Sequence, residues 1–222
     1  EADRMVAQVV EACSSKLTTL DLSQNDMSSY RWLPLALQQC SQLRSFNVTS
    51  CHLPLLTWVP TLRCLPQLTR LDLSNNVAHP TGKEWAVFSE TLATLKEMRH
   101  LNIGNNDFVC DNVSTWNWIS QMPNLVALGL KDLPFIGDNL WWVLEELKSV
   151  PQLTHLCLDH TKATDGDIEL LSSIFGELAN LKSLDMARNQ YSYEGVQAMC
   201  HQLPLLTALE RINLFGFMWD AQ

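Results

Sequence analysis

The sequence predicts an α/β solenoid, in which short parallel strands alternate with helices and stack along one axis as a single domain over residues 1–222. Three observations predict it. The pattern Leu-x-x-Leu-x-Leu-x-x-Asn opens cleanly at Leu17, Leu68, Met98 and Leu181, with looser copies at Leu43, Leu125, Leu153 and Leu209. Successive copies start 26, 25, 30, 27, 28, 28 and 28 residues apart, a spacing that marks stacked supersecondary units. Between the copies lie apolar residues at helical spacing, and Pro66, Pro123 and Pro151 each stand two residues ahead of a strand leucine, where a helix has already ended.

The elements follow in chain order. Residues 3–13, with Met5, Val9, Val10 and Cys13 on one stripe, read as the helix of a unit whose strand is missing. In the first unit, Leu20 and Leu22 share one face of a strand and Asp21 points to the other, because side chains alternate with period two. Asn25, at the ninth position, can bond backbone groups as the chain turns away. The return helix of this unit spans Tyr30 to Leu37, with Trp32 and Leu37 near one face. The first two units, from Leu17 and Leu43, are predicted to have shorter or less regular convex segments. Glu84 to Leu95, with Trp85, Phe88, Leu92 and Leu95, is the helix of the third unit. Asp165 to Leu178, with Ile168, Leu171, Phe175 and Leu178, is that of the sixth. After Leu209 the chain runs into Phe215-Gly216-Phe217-Met218-Trp219, an apolar edge that suggests a piece of a longer protein with missing repeats, or residues that fold back or meet a partner. No unit can bury its leucines alone, so neighbours must stack.

Two residue columns belong to this core. Trp32, Trp58, Trp85, Trp116 and Trp141 fall at the inward helix position, whereas Trp118, Trp142 and Trp219 are the convex or terminal contact candidates. Cys13, Cys40 and Cys64 precede strand leucines and read as small buried hydrophobes.

Composition narrows the function classes. The net charge of −9 disfavours nucleic acid and anionic membrane as partners and favours a protein with a basic patch. No apolar run reaches the ~18 residues that span a bilayer. Seven cysteines without a Cys-x-x-Cys pair fit a reducing, cytoplasmic compartment. Of the two glycosylation sequons, at Asn47 and Asn112, the first falls inside a strand.

The period near 28 residues with a helix in each unit resembles the ribonuclease-inhibitor-like class of leucine-rich repeats. The resemblance covers the whole chain; the glycine usual after the Asn turn is recognisable at Gly137, Gly166 and Gly195 and missing from the first two units. That class includes ribonuclease inhibitor, sensor regions of nucleotide-binding innate-immune receptors, activators of the Ran GTPase, tropomodulin ends and bacterial effectors. The resemblance implies a horseshoe with strands on the concave face and helices on the convex one. It leaves function open among unrelated targets.

Alternation fixes the concave face. Its fifth-position column runs Asp21, Asn47, Asp72, Asn102, Gly129, Cys157, Asp185, Asn213, a polar ladder suited either to a solvated parallel sheet or to recognising a basic or amide-rich surface. Basic residues of the same face are Arg70, His100, Lys131, His155, Arg188 and Arg211, interspersed with Asp132, Asp159 and Asp185. Phe215 is the one large apolar residue at a seventh position. His155, Cys157 and Asp159 lie about 6.5–7 Å apart along one strand, too far for a Cys–His nucleophilic pair and wide for tetrahedral metal ligands. No phosphate loop, zinc motif or nucleophile elbow occurs, so no catalytic residue, metal or cofactor is expected. The expectation is a protein-interaction module, such as an immune-type sensor, scaffold, inhibitor or effector. It holds a protein partner on this face and on the loops Val77–Glu84 and Phe108–Thr115. The alternative is a GTPase activator on the same solenoid.

Overall fold

In a computed structural model the chain forms one open sheet of eight parallel strands in sequential order, β1 to β8, with the helices returning on its other side. The structure describes residues 1–76, 82–106, 116–133 and 139–216. Gly137, Cys110, Asn112, residues 77–81 and 217–219, and the loop Phe108–Thr115 lie outside them.

The strands are β1 Thr19–Asp21, β2 Ser45–Asn47, β3 Arg70–Asp72, β4 His100–Asn102, β5 Ala127–Gly129, β6 His155–Cys157, β7 Ser183–Asp185 and β8 Arg211–Asn213. Each starts at the third residue of a repeat, and the register pairs equivalent repeat positions across every strand pair. The first, fourth and sixth positions face the helices. In the inner units they are buried to 2% exposure or less, as for Leu68, Leu71 and Leu73. At the sheet edges, Leu17, Leu20 and Leu22 and also Leu209, Ile212 and Leu214 are only partly buried, because each lacks one neighbouring unit.

The convex elements are α1 Ala2–Cys13, α2 Trp32–Leu37, α3 Leu55–Arg63, α4 Gly82–Leu92, α5 Asn139–Leu147, α6 Asp165–Ser173 and α7 Tyr193–Gln202, the last followed by a 3-10 turn, Leu203–Leu205. The first unit has the short helix expected of it, six residues long. The second does not: α3 has nine residues, as many as α5 and α6, despite Pro60 within it. In the fourth unit the described convex residues 117–121 form turns instead of a helix.

The ninth-position Asn is what turns the chain from strand to helix. Asn76, buried, donates from Nδ2 to Leu73 O (2.7 Å) and Val48 O (3.0 Å), and its Oδ1 accepts from the N–H groups of Cys51 (2.9 Å) and Leu53 (3.2 Å). Asn106 and Asn189 repeat the arrangement in their own units. Where the second unit has Cys51 instead, the thiol donates to Leu22 O at 3.0 Å. The residue just before, at the eighth position, has positive φ in every unit: Gln24, Ser50, Asn75, Asn105, Asp132, His160, Arg188 and Gly216. Its N–H still reaches the next unit's seventh carbonyl, as in Ser50 to Ser74 O at 3.0 Å.

Helices are tied end to end by carboxylates. Asp3 at the start of α1 accepts from the N–H groups of Arg31, Trp32 and Leu33, which open α2. Asp165 at the start of α6 likewise accepts from Ser192 N (2.7 Å) and Ser192 Oγ (2.9 Å), where α7 begins.

Several sequence expectations for the core need correction. Trp58, Trp85 and Trp116 are buried, but Trp32 is 57% exposed, because Leu33, Ala36 and Leu37 take the inward face of α2. Trp141 is half-buried. Trp118, expected on the surface, is fully buried: residues 116–118 lie in a turn, where helical spacing does not force apart side chains two residues away. Trp142 is partly buried against the core. On α1 the inward stripe is Ala7 and Val10, and Met5 and Val9 are both 66% exposed. Of the cysteine column only Cys40 is buried; Cys64 is exposed and Cys13 intermediate.

Candidate functional site

The concave face carries three parallel lanes, one for each outward position of the strand and the turn after it. The third-position lane is Thr19, Ser45, Arg70, His100, Ala127, His155, Ser183, Arg211, and the fifth is the polar ladder expected from the sequence. Together they line a solvent-open trough of about 440 Å³ from Phe46 and Asn47 to Arg211. Its floor is lowest at β5, where Ala127 and Gly129 stand between His100 and His155. A Cβ on Gly129 would come within 2.6 Å of Asn102 Oδ1, so only glycine lets the Asn102 amide lie against this strand.

The fifth-position ladder has a structural task. Asp21 Oδ1 accepts from Ser23 N (2.9 Å), Asn47 Oδ1 from Thr49 N (3.1 Å), and Asp72 Oδ1 from Ser74 N (3.0 Å). Asn102, Asp185 and Asn213 close the same two-residue turn onto Gly104, Ala187 and Phe215. Rungs also join one another: Asn47 donates to Asp21 at 3.0 Å, and Asn102 to Asp72 at 3.1 Å. Backbone and side-chain donors from Ser23, with Asn47, hold the exposed Asp21 carboxyl below the usual carboxylate range.

Charges at the seventh and eighth positions cluster between β5 and β7. Arg188 makes a bidentate pair with Asp159, through Nε to Oδ1 at 2.9 Å and through the terminal amine to Oδ2. Lys131 approaches Asp159 to 3.5 Å, and His160 Nδ1 contacts Asp132 Oδ1. The Arg188 bond, with the charges of Arg188 and Lys131, outweighs burial and lowers the Asp159 pKa. Lys131, Asp159 and Arg188 therefore satisfy one another. Reversing Arg188 would strand a carboxylate only 6% exposed, so Arg188 is a poor probe of binding alone. Asp72, held by Ser74 and Asn102, has the same defect.

His155, Cys157 and Asp159 share a strand face but not a hydrogen-bond chain. His155 Nδ1 pairs with Thr154 Oγ1 at 2.7 Å, Asp159 with Arg188, and burial pushes the Cys157 thiol up, away from the reactive thiolate. Phe215 stands 74% exposed at the end of the seventh-position lane.

A family model described as Leucine Rich repeat matches residues 13–29 and 177–200, which bracket the first and seventh strand units. The chain has the leucine-rich-repeat fold. Its repeats are 26% identical to NLR family CARD domain-containing protein 4 of Bos taurus, over 84% of this chain and 19% of that protein. The chain thus spans about a fifth of the length of this curated relative. Among solved structures, internalin C2 of Listeria monocytogenes superposes with a TM-score of 0.62 at 16% identity, covering 96% of this chain and 76% of that one. The Arabidopsis receptor kinase HAESA, solved in complex with the peptide hormone IDA and the co-receptor SERK1, gives 0.56 at 15% identity, covering 92% and 35%. These two likenesses show the leucine-rich-repeat fold. Leucine-rich-repeat proteins typically mediate protein–protein interaction. No helix among the described residues is long and apolar enough to cross a membrane.

Proposed function

We propose that this leucine-rich-repeat chain is a non-enzymatic module that binds a polypeptide partner along its concave face. The supporting observation is the trough itself, which is long, shallow and open, and is lined by the outward residues of seven consecutive strands, β2 to β8. A small-molecule site encloses most of its ligand; this surface instead offers polar side chains at regular intervals to something laid across the strands. Phe215 extends the surface with one exposed aromatic ring, a side-chain type common among interface hot spots. The free thiols of the described cysteines support an intracellular setting.

Site-specific photo-crosslinking tests the reading. A crosslinking amino acid at Ser183, on the trough, is expected to give discrete adducts with a polypeptide in cells, and one at the exposed convex residue Glu177 is not. Equal adducts from both positions, or adducts from Glu177 alone, would move the binding face elsewhere.

A further inference from the structure

We infer that the third-position lane of the trough receives an extended partner segment through acidic side chains. The inference rests on the concave face being the binding face and names the chemistry it takes. The register sets Arg70, His100, Ala127, His155, Ser183 and Arg211 side by side on consecutive strands, about 4.8 Å apart. Among the described residues, neither Arg70, His100, His155 nor Arg211 has a carboxylate within ion-pair distance. The acids of the neighbouring lanes are already engaged. Asp21, Asp72 and Asp185 close backbone turns, and Asp159 and Asp132 hold Arg188, Lys131 and His160. Arg70, His100, His155 and Arg211 are therefore basic residues of this face that no described carboxylate pairs.

Spacing adds a register to the chemistry. In an extended chain, residues i and i+4 lie about 13.6 Å apart, close to the roughly 14.4 Å of three strand spacings. An acid at i beside Arg70 thus places one at i+4 beside His155, with the intervening backbone passing over the low floor at Ala127 and Gly129. Burial, and after it the nearby charges of Arg70, His155 and Arg99, hold the His100 imidazole below its ordinary value. A basic segment would meet two arginines in this lane.

Selection from a displayed library of random dodecapeptides tests this, using the whole chain as bait. Three versions serve: wild type, the charge variant Arg70→Glu/Arg211→Glu, and Ala127→Trp, which fills the trough without changing charge. Wild type is expected to enrich Asp and Glu, with pairs four residues apart. The charge variant should bind those peptides at least tenfold more weakly and enrich Lys and Arg instead, and Ala127→Trp should abolish binding. Circular dichroism checks that each variant is folded; a charge variant that fails to fold is replaced by Arg70→Gln/Arg211→Gln, for which the same loss is expected. Enriched peptides that lack acids yet are lost in Ala127→Trp would overturn the acidic chemistry and leave the concave face standing. Peptides that bind all three versions alike, or no enrichment at all, would overturn both.

Discussion

Replacing Asn76 by alanine isolates the device that turns each strand into its helix. The side chain makes five hydrogen bonds of 2.7–3.3 Å, three given to carbonyls and two taken from amides, and is 3% exposed. At about 1 kcal/mol net for each such bond, the substitution should cost about 4–5 kcal/mol, because water cannot reach the groups left behind. Asn25 supplies the comparison. It occupies the same position in the first unit, but it is exposed and bonds only Leu22 O (2.9 Å) and Ser23 O (3.2 Å), which water can satisfy in its absence. Asn25→Ala should therefore cost only about 1 kcal/mol. Urea unfolding followed by far-ultraviolet circular dichroism and tryptophan fluorescence measures both. A solenoid can unfold in parts, so hydrogen exchange at the Cys51 and Leu53 amides, which lose their acceptor, provides a local reading. If Asn76→Ala costs no more than Asn25→Ala, or the two amides stay protected, the buried ladder is not what holds the turn.

Other consequences can be measured on the same protein. Gly195→Ala should cost about 1–3 kcal/mol, because the new Cβ would stand 2.3 Å from Asp165 Oδ1 and push it off the Ser192 amide; a variant as stable as wild type would show that the contact relaxes freely. Burial raises the Asp3 pKa, but the N–H donors of Trp32, Arg31 and Leu33 outweigh it, so the folded value lies below the unfolded one. Its contribution is then fully present above the ordinary aspartate range and is lost as pH falls through the folded value. Asp3→Asn should lower neutral-pH stability by about 1 kcal/mol and shrink the acid-side loss; an unchanged acid limb in the pH–stability profile would refute this. Because His100 is held below its ordinary pKa, the affinity of an acidic dodecapeptide should rise as pH falls through and below the usual histidine range, and His100→Gln should reduce that rise. A flat or opposite profile between pH 7.5 and pH 5 would separate His100 from the binding lane.

The fold was readable because one constraint repeats eight times. A leucine at the first, fourth and sixth positions can be buried only if each unit stacks, and the register follows the repeat without a slip. The convex side was less legible because its helices are short and anchored at both ends, so their rotation depends on packing more than on periodicity. Trp32 departs from the place its spacing suggests for that reason, and Trp118 does so because its segment is a turn instead of a helix. All seventeen concave residues singled out from the sequence are described, and their lanes are as alternation requires. What alternation could not supply was the pairing. Arg188 and Lys131 look equivalent to Arg70 and Arg211 in the sequence, yet the first two are bound to Asp159 and the second two are not. The Asx turns at Asp21, Asp72 and Asp185 were hidden for the same reason, although Asp or Asn two residues before Ser, Gly or Ala was their available signal.

The positive-φ residue before each turn also limits which side chains the rim can display. Left-handed backbone crowds a branched Cβ, and the described column at this position contains no valine, isoleucine or threonine. Gln24, Ser50, Asn75, Asn105, Asp132, His160 and Arg188 are all unbranched at Cβ and polar. The rim is thus written in a reduced alphabet: charge, size and hydrogen-bonding pattern can vary from one unit to the next, while β-branching cannot. A partner reading that edge meets hydrophilic groups at every step, and an apolar contact must come from elsewhere on the surface, as Phe215 does at the neighbouring position.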